Sequence, residues 1–247
     1  MKFLSVFTAS VCALNLMFGS FAALAQTPAA RPAAQEPIAI IGTGSVGGAL
    51  GKRWAALGHP IIYGSRDPGR SAVRELVAQS GKGAIALHPA DALMRADIVL
   101  FAVPWEAAQE SARSLGDVSG KVVIDVTNPL VTKGDKEVVG AAVPESGARL
   151  IQGWLPGATV VKAFNVVNWR IMEEPARAGG AVTIPIASDD APARLRVAKL
   201  AEALGFEAFD VGSLGNARYL EGMAILYVNM LLQDPPRRFE YYFRRPH

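Results

Sequence analysis

Apolar positions along the chain follow two alternating rhythms. Short, nearly continuous apolar runs occupy 38–41, 60–63, 84–87, 97–103, 120–126, 159–164, 181–187 and 206–211. Runs of this length without polar alternation suit strands buried on both faces, as in parallel sheets. Between them the spacing becomes helical. Val46, Leu50, Trp54 and Leu57 share one face, and Val73, Leu76 and Val77 point inward from a helix predicted over 68–80. Further helices are predicted at 89–93, 105–115, 146–154, 193–204 and 217–233. The last is apolar on a broad face (Leu220, Met223, Ala224, Tyr227, Leu231), with Arg218 and Glu221 placed elsewhere. Residues 130–143 are polar and glycine-bearing and read as a loop. Strand and helix in alternation predict an α/β fold built on a mostly parallel sheet.

One junction carries the strongest local signal. Ile38-Ala-Ile-Ile41 runs into Gly42-Thr43-Gly44-Ser45-Val46-Gly47, and the helical period begins inside the glycines. Strand, glycine turn and helix in this order form the dinucleotide-binding fingerprint. Gly42 permits the tight turn, Gly44 leaves room for a pyrophosphate, and Gly47 lets the helix pack close to the strand. The free N–H groups at the helix start then face the phosphates. The fold expected is therefore a Rossmann-type, doubly wound sheet over 37–166. A short α/β extension follows over 167–233 and ends in the apolar helix, with a tail at 234–247.

The second strand ends in Gly64-Ser65-Arg66-Asp67. NAD-binding units place an acidic residue here, about 20 residues past the glycines, to take the ribose 2′-hydroxyl. Ser65 and Arg66 suit a 2′-phosphate instead, because a guanidinium offers planar donors to phosphate oxygens. Arg70, a turn further on, can reach the same anion. Asp67 dissents, and its alternative is to cap a helix beginning at Pro68. NADP is the cofactor expected. Ligands of open parallel sheets lie beyond the carboxyl ends of the strands. Ala102, Val103, Pro104, Trp105, Thr127 and Asn128 are thus the candidates for the nicotinamide and its ribose, although the two strand-ending prolines, Pro104 and Pro129, also simply stop strands.

Composition narrows the class. The net charge is +3 with basic residues scattered, so no nucleic-acid partner is expected. His59, His88 and His247 are far apart and Cys12 is the single cysteine, so no metal site and no thiol nucleophile are expected. Residues 3–25 carry no charge and end Ala23-Leu24-Ala25 before Gln26, a small-x-small site. A signal peptide over 1–25, cleaved between Ala25 and Gln26, predicts a periplasmic or secreted mature chain without a transmembrane segment. An uncleaved anchor is the alternative, since the stretch is long enough to span a bilayer. The Ala- and Pro-rich 26–36 reads as a linker. The tail carries Arg237, Arg238, Arg244 and Arg245 among Phe239, Tyr241, Tyr242 and Phe243, which suits a docking surface or a frayed end. The last helix suits core or a homodimer contact.

Six motifs occur in order: Gly42-Thr-Gly-Ser-Val-Gly47, Gly64-Ser-Arg66, Val103-Pro-Trp-Glu106, Asp125-Val-Thr-Asn-Pro129, Val161-Lys-Ala-Phe-Asn165, and Asp210-Val-Gly-Ser-Leu followed by Asn216-Ala-Arg-Tyr-Leu-Glu221. As a set they resemble the coenzyme F420 (deazaflavin)-dependent NADP oxidoreductases, over roughly 37–233. The resemblance implies NADPH held at its pyrophosphate by Thr43, Gly44, Ser45 and Val46, and at its 2′-phosphate by Ser65, Arg66 and Arg70. It implies Ala102, Val103 and Trp105 near the nicotinamide half, with Asn165 and Leu214 nearer a second substrate. That substrate would be a small hydride acceptor, a deazaflavin or a flavin; a related reductase domain in membrane metalloreductases passes hydride to a flavin. No protein acid, base or nucleophile is expected to carry the chemistry, because two stacked redox rings need orientation above all. Reduction of a small imine or keto substrate, and non-catalytic dinucleotide binding by an exported protein, are the alternative readings.

Overall fold

A computed structural model of the chain describes residues 35–81, 83–132, 138–141, 145–232 and 240–244. The expected signal peptide, nearly all of the linker and most of the tail lie outside the described residues.

The first half alternates strand and helix as the apolar rhythm requires. In order come β1 (Ile38–Ile41), α1 (Ser45–Ala56), β2 (Ile61–Gly64), α2 (Ser71–Ser80), β3 (Ile85–Leu87), α3 (Pro89–Leu93), β4 (Ile98–Phe101), α4 (Trp105–Arg113) and β5 (Val122–Asp125). A hairpin, β6 (Leu130–Thr132) and β7 (Val138–Ala141), precedes α5 (Gly147–Trp154) and β8 (Thr159–Lys162). The extension contains α6 (Trp169–Glu173), a short 3-10 turn at Pro175–Ala178, β9 (Thr183–Ile186), α7 (Ala191–Ala203), β10 (Glu207–Asp210) and α8 (Ala217–Leu231).

Six strands form one parallel sheet in the order β3-β2-β1-β4-β5-β8. The order reverses between β1 and β4, which opens a crevice at their carboxyl ends. All four positions of β1, β2, β4 and β5 are buried, as expected of strands covered on both faces. Their side chains alternate between two cores. Ile38, Ile40, Ile98, Leu100 and Ile124 pack on one side with Leu50 and Trp54 of α1. Ala39, Ile41, Val99, Phe101 and Val123 pack on the other with Ala108 and Ala112 of α4 and Ile151 of α5. Burying each large aliphatic contributes about 1.5–3 kcal/mol.

The extension shares the first of these cores: Val182, Ile184, Val197, Leu200, Phe206 and Leu220 lie in it with Ile38 and Trp54. Its strands β9 and β10 form a separate parallel pair, bridged to the main sheet by antiparallel contact of Ala187 with Lys162. The described part of the tail packs back on the same region, with Thr183 N donating to Phe243 O at 3.1 Å.

Four local expectations are corrected. Residues 130–143 are not one loop, because β6 and β7 pair antiparallel with a register shift at Val131/Thr132; strands this short show no period. The second helix starts at Ser71, and Asp67 Oδ1 instead accepts from Gly69 N at 3.0 Å in the preceding turn. Leu57 is exposed at the end of α1, where Gly58 turns the chain at φ 96°. Glu221 does not lie off the packed face of α8; it is 2% exposed. No helix among the described residues is long and apolar enough to cross a membrane.

Candidate functional site

A cavity of about 1040 Å³ opens at the carboxyl ends of β1, β2, β4 and β5. Its centre is the glycine turn. Gly42 has φ 110°, and a Cβ there would stand 2.2 Å from Ala102 O. A Cβ on Gly47 would stand 2.1 Å from Gly42 O, so only glycine lets α1 start this close to β1. Gly44 faces open space, with nothing within 4 Å of a built Cβ. No side chain caps α1 at Gly44, so its first N–H groups have no side-chain partner at the cavity. The loop is thus a cradle for an anion approaching a bare backbone.

At one side lie Ser65, Arg66 and Arg70. Ser65 is buried, and its hydroxyl donates to Asp67 O at 3.0 Å. Arg66 and Arg70 are exposed, and no ion pair holds either of them among the described residues. His88 and the α4 side chains Glu106 and Glu110 line the cavity as well. Beneath it, burial pushes the Tyr63 phenol up to about 12, against the opposing effect of its hydrogen bond with Ser80.

The other end is formed by Ala102, Val103, Trp105, Val126, Thr127, Asn128 and Leu130 of the new hairpin. Trp105 stacks on Trp154 at 5.6 Å. Every expected cofactor residue except Gly47 lines this one cavity; Gly47 acts by packing. Asn165 and Leu214, expected nearer the second substrate, are buried and do not line it. Asn165 stands behind Asn128, donating to Asn128 Oδ1 at 2.9 Å, while Asn128 Nδ2 donates to Asn165 O at 3.1 Å. Phe164, just before, holds φ 62°, a strained value for a residue with a side chain. Its ring is fixed edge-on between Trp54 and Phe206.

Under this end lies a cluster that the sequence reading missed. Lys162 is wholly buried, with Nζ 2.9 Å from Asp125 Oδ2 and 3.2 Å from Glu221 Oε1. Lys162 also donates to Thr127 O. Asp125 Oδ1 accepts from Thr127 N at 2.8 Å. Glu221 caps α5 from α8, accepting from Gly147 N at 2.9 Å, Ala148 N at 3.0 Å and Ser146 Oγ at 3.2 Å. The available signal was the pair of runs Val122-Val-Ile-Asp125 and Thr159-Val-Val-Lys162, each apolar and each ending in a charge; Asp125 and Lys162 are register partners. Two buried side-chain atoms find no partner among the described residues, Thr127 Oγ1 and Asn165 Oδ1.

The reversed parallel sheet and the glycine cradle define a Rossmann-type dinucleotide-binding fold, with two exposed cations just past the end of the second strand. A family model described as NADP oxidoreductase, coenzyme F420-dependent, matches residues 37–129. The F420-dependent NADP reductase of Methanothermobacter thermautotrophicus is 32% identical over 81% of this chain and 91% of its own length. The chain belongs to the coenzyme F420-dependent NADP oxidoreductase family, and it is an NADP-dependent oxidoreductase. Metalloreductase STEAP3 of Rattus norvegicus is 30% identical over 82% of this chain, which spans 38% of that protein's length. A proposed F420-dependent NADP reductase of Arthrobacter sp. FB24 shares the fold with a TM-score of 0.74, at 26% identity, over 85% of this chain and all of the other. A reductive aminase from Aspergillus terreus, at 19% identity and TM-score 0.56, shares the fold over 80% of this chain and 64% of its own.

Proposed function

We propose that the chain reduces a flat redox acceptor of the deazaflavin or flavin class at the expense of NADPH. The α1 start and its glycines receive the pyrophosphate. Ser65, Arg66 and Arg70 receive the 2′-phosphate, and Ala102, Val103, Trp105 and Asn128 border the nicotinamide half. Bound NADPH supplies the hydride. The chain's own part is to orient, to exclude water and to leave one ring face open to the acceptor.

The observation that carries the acceptor class is the chemistry of the cavity's inner end. Val103, Val126, Thr127, Asn128 and Leu130 offer apolar surface, a hydroxyl and an amide, with no titratable side chain among them. The nearby ammonium of Lys162 is already held by two carboxylates and a carbonyl, so it is not offered as an acid to a substrate. A ketone needs a proton during reduction, and none of these five side chains is an acid. A deazaflavin or flavin spreads the incoming charge over its own rings. The F420-dependent reductase relatives support the deazaflavin.

Stopped-flow oxidation of NADPH by the purified protein tests this against a deazaflavin, a flavin, a small ketone and a cyclic imine. Turnover is expected with one or both ring systems and not with the other two. Fast turnover of the ketone or imine with both ring systems inert would mean that another reaction is catalysed.

A further inference from the structure

We propose that Lys162 is a positioning residue for the inner end of the cofactor cavity: it pins the Thr127 backbone so that the unpartnered Thr127 hydroxyl meets a polar group of the nicotinamide nucleoside half of the bound dinucleotide. This rests on the cofactor placement proposed above.

Thr127 is 4% exposed and lines the cavity, yet its Oγ1 has no partner among the described residues. The rest of the residue is fully engaged. Its N–H donates to Asp125 Oδ1 at 2.8 Å and its carbonyl accepts from Lys162 Nζ. A buried hydroxyl is costly to leave unmet, so a threonine held by both peptide groups with its hydroxyl spare is arranged for something that enters the cavity.

The holding apparatus reaches far into the protein. Lys162 Nζ lies 2.9 Å from Asp125 and 3.2 Å from Glu221, and Glu221 grips the start of α5 through Gly147 N at 2.9 Å and Ala148 N at 3.0 Å. One ammonium therefore ties β5, β8, α5 and α8 to the peptide of Thr127. Burying ions gains little net stability over apolar packing of the same shape. A fixed geometry at Thr127, a cavity residue whose carbonyl the lysine holds, is what this arrangement achieves.

The experiment compares two ligands by titration: NADPH, and 2′,5′-ADP, which carries the adenosine 2′-phosphate without the nicotinamide half. Thr127→Val should weaken NADPH about tenfold, the loss of one hydrogen bond, and leave 2′,5′-ADP within about twofold of wild type. Thr127→Ser should restore NADPH. Lys162→Met should show the same split between ligands. If the lysine acts through Thr127, adding Thr127→Val to Lys162→Met should cost almost nothing more. Should Lys162→Met fail to fold, Glu221→Gln enters the same cycle in its place. A lysine that only stabilises the fold would lower the melting temperature and weaken both ligands alike, or its effect would add fully to that of Thr127→Val; either result overturns the proposal. So does unchanged NADPH binding by Thr127→Val while 2′,5′-ADP still binds. Failure of the wild type to bind 2′,5′-ADP would instead overturn the cofactor placement, and this assignment with it.

Discussion

Arg66 and Arg70, at the outer side of the cavity, are exposed cations with no ion pair among the described residues; Lys162, under its inner end, is a cation with no exposure at all and three partners. The first pair stands in water, where an unpaired charge is inexpensive and free to meet a phosphate. The second is internal, and its charge is bearable only because Asp125, Glu221 and the Thr127 carbonyl surround it. In the function proposed above, the outer cations recognise by direct contact. The inner one can act only by holding other groups still.

The contrast predicts which end fails when a charge is removed, and in what way. The largest effect should come from Glu221→Ala, which uncaps α5 and strips Lys162 of one carboxylate. Breaking one side of a buried ionic network typically costs about 3–5 kcal/mol. Urea denaturation of the variant against wild type measures it, and a cost below about 1 kcal/mol, the range of exposed pairs, would erase the distinction between the two ends.

Next in size is Arg66→Ala, which should leave the fold intact and act on the ligand alone. Losing a charge-assisted contact to the 2′-phosphate should cost about 1.5–3 kcal/mol, roughly ten- to a hundredfold in NADPH affinity. NADH, which lacks that phosphate, should bind almost as before. Equal loss for both cofactors would show that Arg66 does not read the phosphate.

The smallest effect sharpens the comparison from the other direction. Arg149 and Asp189 form an ion pair at 2.6 Å, closer than Lys162 to either carboxylate, but on half-exposed side chains. Solvent screening should hold the cost of Arg149→Ala to under about 1 kcal/mol by the same urea assay. A loss matching that of Glu221→Ala would mean that burial is not what separates the two kinds of pair.

The same division explains what the sequence disclosed. Strands β1, β2, β4 and β5 were readable because both faces are buried, which leaves apolar runs with nothing else to mean. The glycine turn was readable because two of its positions forbid any side chain, and Ser65, Arg66 and Arg70 because polar residues interrupt the pattern just where a strand ends. The inner cluster was not readable. Asp125 and Lys162 meet only through strand pairing, and Glu221 arrives from the last helix, where it looked like an ordinary polar position. The β6–β7 hairpin escaped for a different reason, since strands of three and four residues with a register shift carry no usable period. Asn165 enters through the resemblance alone, and its position behind Asn128, next to the positive φ of Phe164, is a conformation that nothing in the residue type announces.

Trp105 borders the inner end of the cavity and lies 5.6 Å from Trp154, while Trp54 is sealed in the core beside Phe164. Indole emission overlaps the absorption of a reduced nicotinamide. Of the four indoles, Trp105 at the cavity's edge and Trp154 beside it form a light-collecting pair, Trp54 is sheltered and Trp169 lies under Arg170, so that filling and emptying of the inner end can be followed by quenching of native fluorescence, without a label.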